Sequence, residues 1–328
     1  MKLSVLDQSP VPEGADAGQA LANTIDLARH ADRLGYHRYW VAEHHNMDGL
    51  AGSSPEVLLG RLAVETDRIR VGSGGVMLSH YSSLKVAESF RVLHALHPGR
   101  IDLGLGRAPG SDPLTAAALA RGSTPLGIEY YPNQVEELVQ FLDGTIPPES
   151  PLAPVRATPR TAGSPEVWLL ASSADSASYA AHFGLPLSWA HFISPDGAPI
   201  VGAYRDQYRA SERAQQPVAS IGISVICAET DDEATHLASS LLRWRAAGLR
   251  GPIPPPNDPE DGTAALAAAP AYQRNKPLIA GSPATVGPQI VDLAEQYGVD
   301  EVVIVTICHD HDARVRSYEL LAANFELR

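Results

Sequence analysis

The sequence predicts an α/β fold, a single (β/α)8 TIM barrel spanning residues 1–328 with insertions at its C-terminal rim. Two observations carry that expectation. Eight short leucine-rich or β-branched runs recur from end to end, each followed by a helical pattern. Polar or glycine-rich clusters stand directly after several of these runs, where a parallel barrel keeps its working face. A doubly wound sheet would need a glycine-rich phosphate loop after the first run. That place holds Asp7-Gln8-Ser9-Pro10 instead.

The runs are residues 3–6, 38–42, 69–72, 101–105, 167–171, 186–189, 221–227 and 301–307. Between the first two, Leu21, Ile25, Ala28, Ala31 and Leu34 share one helical face, and Gly35 offers a left-handed stop. Ser54-Pro55, Ser194-Pro195 and Ser282-Pro283 each read as an N-cap serine before a proline in the first helical position. The helix opened by Ser282 presents Val286, Ile290, Leu293, Ala294 and Tyr297 to a core and ends at Gly298. The run after it, Glu301 to Val305, is apolar enough to be buried on both faces. Two stretches interrupt the alternation. Residues 144–165 are proline-rich and read as a surface connection. Residues 251–277 carry Pro252, Pro254, Pro255, Pro256, Pro259, Pro270 and Pro277, which exclude a continuous helix. An insertion of this kind is expected to be a mobile cover over the pocket.

Composition narrows the function. With 44% hydrophobic and 19% charged residues the chain can bury a large core. A net charge of −13 opposes binding to a phosphate backbone, so no nucleic-acid partner is expected. Cys227 and Cys308 form no spaced pair, and no apolar run reaches membrane-spanning length. The expectation is a cytoplasmic protein with no membrane partner.

Five clusters can carry chemistry. Glu43-His44-His45 follows the second run; histidine titrates near neutrality and serves as general acid or base, and two neighbours in extended chain cannot both face one pocket. Gly104-Leu105-Gly106-Arg107 closes the fourth run. A guanidinium among glycines suits a phosphate monoester, while pairing with Asp112 is the plain alternative. Ser172, Ser173 and Ser176 surround a helix start, which is either an anion site or a simple cap. Gly74-Gly75 permits close backbone approach to a flat ligand or merely a turn. Trp189, ending the sixth run beside Ser188, is either a ligand contact or a structural plug. His309-Asp310-His311-Asp312 reads as a polar loop and helix cap, with no metal site expected.

In this order, on successive runs, the motifs resemble the bacterial luciferase-like flavin monooxygenases over roughly residues 1–110, 165–195 and 280–328. The resemblance implies flavin mononucleotide (FMN) as cofactor, its phosphate held by Arg107, Ser172, Ser173 and Ser176. It implies a cis peptide at Gly74–Gly75 against the flavin ring, with Ser188 and Trp189 lying along that ring. It makes His44 catalytic and leaves Glu43 and His45 structural. Luciferase carries glutamate where Ser172 stands, and its reactive cysteine is Gly106 here, so no thiol role carries over. The implied reaction uses reduced FMN (FMNH2) and O2, through a C4a-hydroperoxyflavin, to oxygenate an organic substrate. An aromatic polyketide of actinomycete secondary metabolism is one such substrate. A separate flavin reductase would supply FMNH2, because no second dinucleotide-binding domain is recognisable, and a homodimer is implied. The same residues also allow an F420-dependent oxidoreductase of the same superfamily, or a non-catalytic flavin-binding protein.

Overall fold

The computed structural model describes residues 1–107, 112–120 and 127–328. Nine parallel strands form one sheet: β1 (Lys2–Asp7), β2 (Arg38–Val41), β3 (Arg70–Met77), β4 (Ile101–Gly106), β5 (Glu166–Ala171), β6 (Leu187–Ala190), β7 (Ala219–Cys227), β8 (Ile279–Gly281) and β9 (Glu301–Val305). Strands β1 to β7 pair in succession, β7 pairs with β9, and β9 returns to β1. This closes an eight-stranded parallel barrel wrapped by helices, the (β/α)8 class that the runs predict. Each run seeds one barrel strand. The three-residue β8 has no counterpart among them; it pairs only with the carboxyl end of β7 and lies outside the closed ring.

The helix boundaries follow local chemistry with one exception. The helix Ala17–Arg33 opens under Asp16, whose carboxylate accepts from Gln19 N at 2.8 Å, and buries Leu27, Ala28 and Ala31 against the barrel. The helices Pro55–Glu65 and Pro283–Tyr297 begin at proline after Ser54 and Ser282. Ser194-Pro195 does not open a helix; the next one runs Ala198–Asp206. Their carbonyls are needed elsewhere, Ser194 O by the Trp189 indole at 2.9 Å and Pro195 O by the Tyr297 hydroxyl at 2.7 Å.

Residues 251–277 form two short helices, Pro259–Ala267 and Ala271–Arg274. None of the residues of this segment, expected to cover the pocket, lines the cavity described below. Its amino end is fastened by main chain: Ile253 N donates to Val11 O, and Ile253 O accepts from Glu13 N, both at 2.8 Å. Side chains of the helix Asp231–Ala246 hold the rest, through Trp244 to Gly251 O at 2.9 Å and Arg243 to Pro255 O at 2.8 Å. Among the described residues no helix is long and apolar enough to cross a membrane.

Alternation along the strands builds two interiors. Leu3, Val5, Leu103, Leu105, Val302 and Ile304 face the helices in one large apolar core. The opposite faces fill the barrel, and at its amino end the filling is charged. Arg38 donates to Asp102 at 2.8 Å, Glu301 at 2.9 Å and Glu166 at 3.3 Å. Arg70 adds a contact to Asp102 at 2.9 Å and one to Glu166 at 3.0 Å. The indoles of Trp40 and Trp168 donate to Asp102 and Glu166 at 2.9 and 2.8 Å, and Ser4 donates to Glu301 at 2.6 Å. The Arg38 guanidinium also stands 4.7 Å from the Trp168 ring centre. Above this layer Leu6, Trp40, Leu170 and Val303 form the floor of a cavity.

Replacing Arg38 with methionine strips buried carboxylates of their counter-charge, which costs about 3–5 kcal/mol. Urea unfolding of Arg38→Met should show a lowered midpoint of that size. An unchanged midpoint would mean that the layer contributes nothing net.

Candidate active site

The cavity, about 320 Å³, opens at the carboxyl ends of the barrel strands. His44, Gly74, Gly75, Arg107, Ser172, Ser173, Ser176 and Ser188 all line it. Trp189 does not. Successive residues of β6 point to opposite sides, so Ser188 on the cavity side places Trp189 in the helix-side core, fully buried. Its role is structural, which corrects the flavin contact expected of it.

One end of the cavity is built to hold an anion. Arg107, just beyond β4, donates to Ser173 Oγ at 2.9 Å and pairs with Asp175 at 3.0 Å. Asp112, the alternative partner, instead caps the helix Pro113–Leu119 and accepts from Asn46. Ser173 is the N-cap residue of the helix Ala174–Phe183, yet its hydroxyl makes no capping bond to that helix; it faces Arg107 and lies 3.4 Å from Ser176 Oγ. The first-turn N–H groups thus keep no side-chain partner from the cap. A guanidinium, two hydroxyls and a helix amino terminus converge as a phosphate cradle.

The middle of the site is a glycine platform. The Gly74–Gly75 peptide is cis. A Cβ on Gly74 would stand 2.5 Å from Leu6 Cδ1, and one on Gly75 would stand 2.7 Å from both Gly104 O and Leu170 Cδ1. No other residue type fits either position without displacing the floor.

His44 occupies the end of β2, its backbone N–H donating to Gly52 O at 2.8 Å. The two histidines diverge. His45 donates to the buried Glu43 carboxylate at 2.8 Å. Glu43 also accepts from the Tyr81 hydroxyl at 2.7 Å and from Met77 N at 3.1 Å, tying the end of β2 to the end of β3. The His44 imidazole lines the cavity, and its buried Nδ1 has no hydrogen-bond partner among the described residues. Burial, reinforced by the neighbouring His45 charge, pushes its pKa down to about 4, so the ring is neutral at physiological pH.

The loop bearing His44 is braced from below. Asp7 is fully buried between Arg314 at 2.6 Å and Ser9 N at 2.7 Å. Burial pushes the Asp7 carboxyl up, but Arg314 and the bonds from Tyr39 and Ser9 outweigh it and hold the pKa below the usual value. The turn fixed in this way carries Gln8 into the cavity, and Ser9 O accepts from Ala51 N at 2.9 Å, beside the Gly52 carbonyl that holds His44. The sequence reading passes over Gln8, although it follows a strand end just as His44 does. Met77, Ile128, Phe192 and Ile193, which complete the walls, are ordinary apolar residues with no sequence signal. His309 and His311 lie elsewhere, on Glu13 O at 3.0 Å and Asp26 at 2.9 Å.

These residues fit a flavin mononucleotide: a phosphate cradle at one end, a platform admitting a flat ring, and an orphaned imidazole nitrogen beside it. The family model for luciferase-like monooxygenases matches residues 1–301. The chain belongs to the luciferase-like monooxygenase family. It is 39% identical to a luciferase-like monooxygenase of Escherichia coli strain K12, covering 97% of this chain and 95% of that one. It is 37% identical to the N-acetyl-S-alkylcysteine monooxygenase of Bacillus subtilis strain 168, covering 98% and 97%. It superposes on apo-MsnO8 with a TM-score of 0.88 at 41% identity, covering 100% of this chain and 98% of that one. Membership in this luciferase-like family makes the protein an oxidoreductase built on the monooxygenase barrel.

The depressed His44 pKa has a measurable consequence. The unfolded chain binds a proton at this histidine near its ordinary value of 6.5, whereas the folded chain binds it only near 4. Between those values the unfolded state holds more protons, so the His44 contribution to stability is lost as pH falls from about 6.5 toward 4. Unfolding measured across that range should show a shallower slope for His44→Gln than for the wild type. Identical slopes would contradict a buried, neutral imidazole.

Proposed function

We propose that this protein is a flavin-dependent monooxygenase that takes FMNH2 and O2 and oxygenates an organic substrate. The observation that carries the reading is the convergence of the Arg107–Ser173 cradle and the unpartnered His44 Nδ1 on one cavity, across Gly74–Gly75. The chemistry supplied by reduced flavin is two-electron activation of oxygen. Arg107, Ser173 and Ser176 would hold its phosphate, with Ser172 and Ser188 lining the same wall. Arg107 exchanges Asp175 for the phosphate at little cost, since that carboxylate is mostly exposed. Leu6, Leu170, Phe192 and Val303 exclude water from the ring's surroundings. Neutral His44 can accept a proton at Nδ1 and return it during oxygen transfer.

The apolar walls suit an uncharged, largely apolar substrate, and an aromatic polyketide answers that description. Among the described residues one phosphate cradle lines the cavity, which a nicotinamide donor would have to share with the flavin. FMNH2 is therefore assigned to a separate flavin reductase. Two buried free cysteines suit a reducing cytoplasm.

Arg107→Ala should weaken FMN binding by about 2 kcal/mol, roughly 30-fold, as loss of a charge-assisted contact. His44→Ala should leave binding unchanged in an anaerobic titration. On mixing with oxygen, the wild type should return to oxidised absorbance more slowly than free flavin, and His44→Ala should alter that rate. Tight binding of F420 with reoxidation at the free-flavin rate would establish the deazaflavin alternative. Tight FMN binding insensitive to His44, with no change in reoxidation, would establish a binding protein.

A homodimer is proposed on the helices Pro55–Glu65 and Ser83–Leu96. Val57 and Val64, one heptad apart, are 73% and 70% exposed, and Leu96 on the neighbouring helix is 67% exposed. Sedimentation should show a dimer for the wild type and a monomer for Val64→Glu/Leu96→Glu. A wild-type monomer would rule the dimer out.

A further inference from the structure

A second, smaller cavity lies on the outer wall, between the carboxyl-terminal turn of the helix Tyr131–Asp143 and the connection 144–165. Three arginines line it: Arg91, Arg156 and Arg160. Arg91, from the helix Ser83–Leu96, is only 7% exposed. It donates Nε to Pro159 O at 2.7 Å and Nη1 to Leu142 O at 2.5 Å, both neutral carbonyls. Arg156 likewise reaches only carbonyls, those of Ala153 and Val155. Arg160 makes no hydrogen bond or ion pair to any described residue, and its guanidinium lies over Gly144. The one carboxylate in the lining, Asp143, is already held in a fork by Arg213. Glu88 is near in sequence to Arg91 but is bonded to Thr158 N and Oγ1 at 3.1 and 2.9 Å and does not line the cavity.

Arg91 is buried while Arg156 and Arg160 are solvent-exposed, so the cavity carries three arginines against one carboxylate, Asp143, in a chain whose net charge is −13. A buried cation is ordinarily paired, and Arg91, the buried one of the three, donates to carbonyls and makes no ion pair with a described residue. Capping the end of the helix Tyr131–Asp143 explains Arg91, through Leu142 O. It does not explain Arg156 or Arg160, which touch no carbonyl of that helix. Burial pulls the Arg91 pKa down, the like charges of Arg160 and Arg213 pull it the same way, and Asp143 offsets part of that repulsion.

We propose that this cavity is a phosphate-binding site separate from the barrel mouth, in which Arg91, Arg156 and Arg160 grip a phosphoryl dianion. Guanidinium groups match a tetrahedral oxyanion through paired N–H donors, and a compact dianion balances more of this charge than a carboxylate can. The bound anion would join the helices Ser83–Leu96 and Tyr131–Asp143 to the connection that leads into β5.

The test is a thermal-unfolding titration with inorganic phosphate, in chloride of matched ionic strength. It is run on Arg107→Ala so that the cradle at the barrel mouth does not contribute. A saturable rise in Tm of about 1–2 °C is expected at a few times Kd. Adding Arg160→Ser should abolish the rise; because Arg160 has no hydrogen-bond or ion-pair partner among the described residues and its charge repels Arg91, the ligand-free Tm should not fall. Absence of a rise in Arg107→Ala, or a rise that survives Arg160→Ser, would overturn the proposal.

Discussion

Arg38 sits on β2 and reaches carboxylates carried by β4, β5 and β9, so one side chain ties together strands from around the whole barrel. A buried ion cluster is costly to desolvate and holds only when every donor and acceptor is engaged. Here Arg70, two indoles and Ser4 complete the set. The geometry allows little freedom in register: Trp40 stands level with Gly72, Gly72 with Asp102, and Asp102 with Glu166. A one-residue slip in any strand would turn a charge into the helix-side hydrocarbon. With the amino ends locked in this way, the carboxyl ends deliver Gln8, His44, Gly74–Gly75, Arg107 and Ser172–Ser173 to one rim.

Much of this arrangement is legible in the chain. Barrel strands announce themselves because strands buried on both faces read as unbroken apolar runs, and the rim clusters stand just after them. What escapes the reading is whatever depends on partners distant in sequence. Arg38 and Glu301 are 263 positions apart, and nothing local to either marks the pair. Arg107 could have matched Asp112 on proximity, yet its partners are Ser173 and Asp175, brought near only when β4 and β5 lie side by side. Strand β8 is missed because three residues carry no period. Trp189 is the instructive case, for the two-residue repeat already opposes it to Ser188, and placing both on one ligand face sets that constraint aside.

The division of labour in Glu43-His44-His45 follows from how the carboxylate spends its lone pairs. Glu43 takes donors from His45, Tyr81 and the backbone of Met77, which leaves it no role in the cavity beyond shape. The neutral ring of His44 is the product of burial, reinforced by its neighbour His45. A free buried carboxylate beside it would favour the imidazolium and remove the acceptor nitrogen.

The pairing of Arg107 with Asp175 sets a threshold for what may dock at the cradle. The guanidinium is already paired with a carboxylate tethered in the first turn of the adjoining helix, at a high local concentration that no free acid in solution can match. A ligand bearing one carboxylate merely trades places with an equal and gains nothing. A phosphate monoester brings more charge and more acceptor oxygens, which Ser173, Ser176 and the helix amino terminus can use together. The tethered rival is weak, being mostly exposed, so it tilts the cradle away from single carboxylates and toward phosphate only modestly.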